Sequence, residues 1–218
     1  MRTGYSGRDT QIRLASLGCN PGPIDGMIGA KTRRAMDEAM EMLEVDRPSE
    51  IFHPSGLLRV HWHWSAGARG IIAMERKSYN LLIDHDCNIH DGKFRPEAQA
   101  TYAVGKAASH TLNANSHAIG VCVDGMAGAK ESPFDAGSAP MNKGQIETLA
   151  ECTADLCERY DIRVSKWTTL SHAEVQPTLG IRQRWKWDIT WLPGMSRTDD
   201  AVKIGDNIRG MVTEILAA

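Results

Sequence analysis

Apolar residues recur along this chain with two different periods, and the change of period divides it. From residue 1 to about 46, a short helical pattern leads into the turn-rich stretch "NPGPIDGMIGAKT" and then a second helix. In that second helix Met36, Ala39, Met40 and Leu43 recur at i, i+3, i+4 and i+7, which predicts one apolar face. The following stretch, "DRPSEIFHPSG", holds prolines and a glycine without periodicity and reads as a linker over 47–56. From Leu57 short strands alternate with helices. "LLRVHWHW" alternates from Leu58 to Trp64 and predicts a strand. "SYNLLID" predicts a second, closed by the "DHDCN" turn and followed by a short "IHDG" strand. "HAIGVCVDG" predicts a third, and its unbroken apolar centre points to a buried position. "NKGQIETLAECTADLCERYDI" is an amphipathic helix with Ile146, Leu149, Thr153, Leu156 and Tyr160 on one side. After the Gly/Pro/Ser-containing loop pattern of "MAGAKESPFDAGSAPM" and that helix, the chain closes on another helix. There Ile204, Ile208, Met211 and Ile215 form the expected buried stripe, and Thr198, Asp199 and Asp200 suit the N-terminus. The expected fold is a mixed α/β domain over 57–218, preceded by a small helical domain over 1–46.

Composition narrows the function classes. At 218 residues, with 42% hydrophobic and 24% charged residues, the chain has the apolar content of a globular protein with a real core. A net charge of −2 and a pI of about 6.4 give no general attraction to nucleic acid, so none is expected as a partner. The N-terminus has no apolar signal region and no run is long enough to span a bilayer; synthesis in the cytoplasm, without membrane insertion, is the expectation. Cys19, Cys87, Cys122, Cys152 and Cys157 form no C-x-x-C pair and read as free thiols.

The stretch "LASLGCNPGPIDGMIGAKTRRAM" resembles the peptidoglycan-binding domain found at the ends of many cell-wall hydrolases. The resemblance is carried by Leu17-Gly18, by Pro21 through Gly26, and by Gly29 to Thr32. Gly18 suits a left-handed helix cap and "GPIDG" a tight turn between packed helices. The resemblance implies that the turn Pro23, Ile24, Asp25 and Gly26 contributes to wall binding. The second helix departs from the family, ending in "EAMEML" where Phe-Gln is usual.

Candidate chemistry gathers in the second region. Alternation on a strand puts His61 and His63 on one face and Val60, Trp62 and Trp64 on the other. Two histidines are not a catalytic zinc site, which wants three protein ligands and an open position. "TTLSHAEV" supplies His172, and "RWKWDITWLPG" supplies Asp188 sixteen residues later. This order resembles the zinc N-acetylmuramoyl-L-alanine amidases, a family that includes amidase-type phage lysozymes and animal peptidoglycan recognition proteins. The family's His-x-(Ser/Thr)-Ala motif falls on His63-Trp64-Ser65-Ala66, which selects His63 over His61. His172 matches the second ligand in its His-x-(Glu/Asp) setting, and Asp188 the third. Tyr79 and Lys186 match the family's catalytic tyrosine and lysine, with Asn80 where histidine is common and Ile189-Thr190 where many relatives have Pro-Gly.

The resemblance implies a mixed central β-sheet flanked by helices, and zinc held by His63, His172 and Asp188. It also implies hydrolysis of the amide between N-acetylmuramic acid and L-alanine, with Tyr79 and Lys186 stabilising the oxyanion. His110 and Asn115 are candidate substrate contacts, and His85 and His90 receive no role. For most of the tryptophans, core packing is the expectation. An anchor module before an amidase points to an endolysin-like enzyme, stored in the cytoplasm and released through a membrane lesion, with a monomer favoured. The competing readings are a non-catalytic peptidoglycan receptor of the same fold, a cytoplasmic muropeptide-recycling amidase, and a zinc peptidase cutting within the stem peptide.

Overall fold

The computed structural model describes residues 3–218, and the chain divides into two compact units, Met1–Gly56 and Leu57–Ala218. In the first unit, α1 (Gly7–Ser16) starts at Ser6, whose hydroxyl accepts the Asp9 N–H at 3.1 Å, and α2 (Ala30–Met42) follows the turn. The turn is pinned from α1. Gln11 donates to the Asp25 carboxylate (2.9 Å) and to the Met27 carbonyl (3.1 Å), and accepts the Gly26 N–H (2.7 Å). Gly7 is required there, because a Cβ would lie 2.0 Å from the Gly26 carbonyl oxygen. Residues 47–56, read as a linker, carry a 3-10 turn at Pro48–Ile51 and bury Ile51 and Phe52 within this unit. Phe52 stacks on Tyr5 with ring centroids 3.8 Å apart. The buried stripe of α2 is Thr32, Ala35, Met36 and Ala39; Leu43 falls at the helix end and is exposed, so the predicted face stops a turn early.

The second unit is a five-stranded mixed sheet flanked by helices, as the α/β reading required. Its strands are β1 (Arg59–Trp64), β2 (Leu81–Ile83), β3 (Ile89–Asp91), β4 (Ala118–Val123) and β5 (Thr169–Ser171), in the order β3-β2-β4-β1-β5. All neighbours pair in parallel except the β2/β3 hairpin at one edge. The Asp84 carboxylate tightens that hairpin, accepting backbone N–H groups from Asp86 and Asn88 and facing His90 at 2.7 Å.

The register separates the two faces. Val60, Trp62 and Trp64, with Ile119, Val121 and Val123, pack into the main core with α4 (Lys143–Tyr160) and α6 (Ala201–Leu216). All five residues predicted for the buried side of α4 are buried, and its N-terminus is a reciprocal cap between Asn142 and Gln145, each bond 2.9 Å. Trp62 is fully buried and its indole N–H donates to Thr153 on α4 (2.9 Å). In α6 the stripe is Ile204, Ile208 and Val212; Ile215 lies in the exposed last turn. Two short helices went unread in the sequence, α3 (Ala73–Ser78) and α5 (His172–Leu179). Among the tryptophans, Trp62, Trp64 and Trp191 are buried and Trp187 packs edge-on to Trp64, but Trp185 is 98% exposed. Among the described residues no helix is long and apolar enough to cross a membrane.

Candidate metal centre

His63 leaves the sheet near the end of β1, an interior strand between β4 and β5. His172 is the first residue of α5, immediately after β5, so two parallel neighbours deliver both rings to the same end of the sheet. Asp188 comes from the loop before α6 and is drawn in by its own backbone, whose carbonyl accepts the Ala173 N–H at 2.8 Å. The Asp188 carboxylate oxygen Oδ2 then lies 3.2 Å from His63 Nδ1 and 3.3 Å from His172 Nδ1. The three groups are buried, and one ligand atom from each lies within 4.8 Å of the others.

A buried network fixes where His172 starts. Glu174, fully buried, accepts the Ser171 N–H (2.7 Å) and pairs with Arg209 of α6 (2.8 Å). Arg209 also donates to the Thr169 carbonyl (2.7 Å), tying β5 and α5 to α6. Gly205 leaves room for the carboxylate, since a Cβ there would sit 2.2 Å from Glu174 Oε2.

Electrostatics keep the set ready for a cation. Burial alone would raise the Asp188 carboxyl, but the two imidazoles facing it outweigh burial and hold the group well below the ordinary range, by hydrogen bond and charge whenever a proton stands on either Nδ1. Burial pushes His63 down to about 4, so its ring is neutral near pH 7. For His172 the tautomer follows from its partner. Its Nε2 lies 3.1 Å from Gln183 Oε1, and the Gln183 amide is oriented by donating its own N–H to the Leu112 carbonyl (2.8 Å). In its neutral form His172 therefore carries its proton on Nε2 and turns a bare Nδ1 lone pair toward the Asp188 carboxylate. Two lone pairs facing one another at 3.3 Å repel unless a proton or a metal cation lies between them. Two imidazole nitrogens and one carboxylate oxygen also match the donor chemistry of a catalytic zinc site with an open position.

The other predicted residues take distinct places. Tyr79 ends α3, and its ring tilts against His63 with centroids 5.2 Å apart. Burial raises its phenol well above the usual value, which keeps the O–H as a donor. Lys186 is exposed and lines, with Tyr102, Leu112, His172 and Gln183, an open groove of about 570 Å³. His110 and Asn115 border the groove, and Asn115 Oδ1 turns inward to accept the N–H groups of His110 (2.9 Å) and Thr111 (2.8 Å). Asn80 accepts the Gly120 N–H (2.9 Å). Pro23 and Asp25 are exposed in the first unit, with Ile24 and Gly26 half-buried. Sequence reasoning passed over Gln183, Arg209 and Gly120, and met Glu174 only as the acidic member of the His-x-(Glu/Asp) setting; of the three missed, only the glycine inside an apolar strand left a signal, that of a close approach by another group.

An α/β sheet with a buried His-His-Asp cluster at one end presents a candidate metal site. The chain belongs to the N-acetylmuramoyl-L-alanine amidase family, whose sequence model matches residues 44–194. A search of curated proteins by sequence finds no match. Among solved structures it is similar to the N-acetylmuramoyl-L-alanine amidase LysC from Clostridium intestinale, at 14% identity and a TM-score of 0.44, covering 72% of this chain and 86% of that one. It is also similar to Drosophila peptidoglycan recognition protein SD, at 15% identity and a TM-score of 0.37, covering 55% and 70%. A third is the amidase AmiD from E. coli, at 16% identity and a TM-score of 0.35, covering 56% and 49%.

Proposed function

We propose that this chain is a zinc-dependent, endolysin-like N-acetylmuramoyl-L-alanine amidase, cleaving the amide between the muramic lactyl group and L-alanine. The observation that carries this reading is the convergence of His63, His172 and Asp188 in a member of the amidase family. These three residues would hold the metal. When bound, zinc supplies Lewis acidity, activating water near neutral pH and polarising the scissile carbonyl.

The chain's own groups do the rest. Tyr79 keeps its phenolic proton and offers it to the oxyanion that develops on the amide oxygen. Lys186 brings an ammonium to the groove beside His172 and opposes the same charge. The groove beside Lys186 and His172 would take the substrate. Met1–Gly56 would hold the enzyme on the wall through the exposed part of its Pro23–Gly26 turn, with Gln11 keeping that turn in shape. As the Asp25 carboxylate is already engaged by Gln11 and the Met27 N–H, its share in wall binding is to hold the loop rather than to reach out.

Digestion of purified peptidoglycan with and without a zinc chelator, followed by mass spectrometry, tests the reading. Stem peptides with a new L-alanine amino terminus, released only without chelator, are the expected products. Cleavage inside the stem would make it a peptidase, and binding without products a wall receptor.

A further inference from the structure

A metal-binding imidazole is normally held by a hydrogen bond from its second nitrogen to a carboxylate, a carbonyl or a water. His172 has Gln183 in that place. His63 has neither carboxylate nor carbonyl: its Nε2 faces another imidazole, with His110 Nδ1 at 3.2 Å, and the Thr111 hydroxyl at 3.4 Å. We propose that His110 is the positioning residue for His63, accepting its Nε2 proton and so fixing Nδ1 as the atom offered to the metal. This rests on the zinc reading given above.

The protons can be assigned from the partners. The Ala118 carbonyl can only accept, and it lies 3.1 Å from His110 Nε2, so that nitrogen carries the hydrogen. Gln99 Nε2 approaches the same nitrogen at 3.5 Å, but it donates to the carbonyls of Ala108 (3.1 Å) and Asn115 (3.0 Å). The orientation of that amide is set by its oxygen, which accepts the Ala108 N–H at 2.9 Å. His110 Nδ1 is then the acceptor of the neutral ring; it faces the N–H of His63 at 3.2 Å and the Thr111 hydroxyl at 2.8 Å, whose own hydrogen has a second acceptor in His61 Nδ1 at 3.1 Å. A His63 ring with its hydrogen on Nε2 directs a lone pair from Nδ1 toward Asp188, 3.2 Å away. Both histidine ligands thus present Nδ1, one through a glutamine and one through a third histidine.

The fold makes room for this ring specifically. Asn115 holds the backbone of His110 and Thr111, and the Thr111 hydroxyl lies 2.8 Å from His110 Nδ1 and 3.1 Å from His61 Nδ1. On the sheet below, a Cβ at Gly120 would sit 2.6 Å from the His110 ring. A neutral acceptor has a consequence that a carboxylate would not: Asp188 remains the one charged side chain in the cluster, and the site keeps net positive charge once a divalent cation enters.

The test uses the full chain. Nitrogen-15 spectra of the zinc-loaded protein, labelled at histidine, should show His63, His172 and His110 each protonated at Nε2. His110→Asn retains an oxygen near the Nδ1 position, whereas His110→Gln reaches only toward the Nε2 position. Zinc affinity, read by competition with a chromophoric chelator, should fall about 10- to 100-fold in H110Q and stay within about threefold of wild type in H110N. A His110 proton on Nδ1, or an H110Q protein that binds zinc as wild type does, would overturn the assignment. Wild-type protein that takes up no zinc would sink the metal reading along with it. Should both variants misfold, the proton positions in the wild type still decide.

Discussion

Successive residues of β1 lead to different chemistry on the two faces of one sheet. Val60, Trp62 and Trp64 turn toward α4 and α6, where burial of apolar surface is the main source of stability. His61 and His63 turn the other way, into a buried setting of imidazoles, hydroxyls and amides. The first face asks only for volume and shape. The second has to account for every polar atom, because a buried donor or acceptor without a partner costs about 1–3 kcal/mol. Among the described residues two buried side-chain polar atoms lack a partner, His61 Nε2 and Ser171 Oγ, and both lie within two residues along the chain of a proposed ligand. Apolar packing holds one face rigid, and the other uses that rigidity to hold a polar constellation in place.

Substitutions on the two faces should therefore separate activity from stability. His63→Ala or Asp188→Ala should abolish amidase turnover and zinc uptake while the metal-free chain stays folded, as read by circular dichroism and chelator competition; wild-type activity in either would remove that residue from the ligand set. Trp62→Ala should do the reverse, costing about 3–5 kcal/mol in denaturant unfolding through the cavity it leaves. Lys186→Met should lower kcat by about 100- to 1,000-fold with zinc affinity unchanged, the scale of one lost oxyanion donor. Loss of zinc in that variant would instead assign Lys186 a structural role.

Acid should find the polar face first. Burial lowers His61, His63 and His110, with neighbouring histidine charges adding to the effect at His61 and His110; His63 is brought from 6.5 to about 4. A histidine lowered in the folded state stabilises the fold above its unfolded value and loses that contribution as pH falls through the folded one. With zinc chelated, stability should be flat above about pH 6.5 and decline from there toward pH 4, by at most about 1.4 kcal/mol per pH unit for each ring. A thermal midpoint that does not change across that window would show that these rings are protonated in the fold.

The apolar face was the more legible of the two in the sequence. Period two along β1 and the stripe of α4 follow from packing alone, and both are observed. The order of His63, His172 and Asp188 was readable because the resemblance supplied a register; nothing in the local pattern of "IRQRWKWD" marks Gln183 or separates exposed Trp185 from half-buried Trp187. Short elements stayed hidden for a physical reason. Six residues of α3 span under two turns, too few for a period to show, and α5 carries Pro177 and a start fixed by Glu174 and Arg209 rather than by its own propensity. Leu43 and Ile215 continue their stripes in sequence but lie at helix ends where no core remains to cover them.

Helix α6 holds two glycines five residues apart, a composition that normally invites replacement by alanine. At the exposed Gly210 nothing lies within 4 Å of the added methyl, and Gly210→Ala should raise stability by about 1 kcal/mol in thermal unfolding. The same exchange at Gly205 would drive a methyl into the Glu174 carboxylate and, through it, into the first turn of α5 that carries His172. A stabilisation campaign guided by helix propensity alone would treat the two positions as equivalent, and would trade the site for the scaffold at one of them.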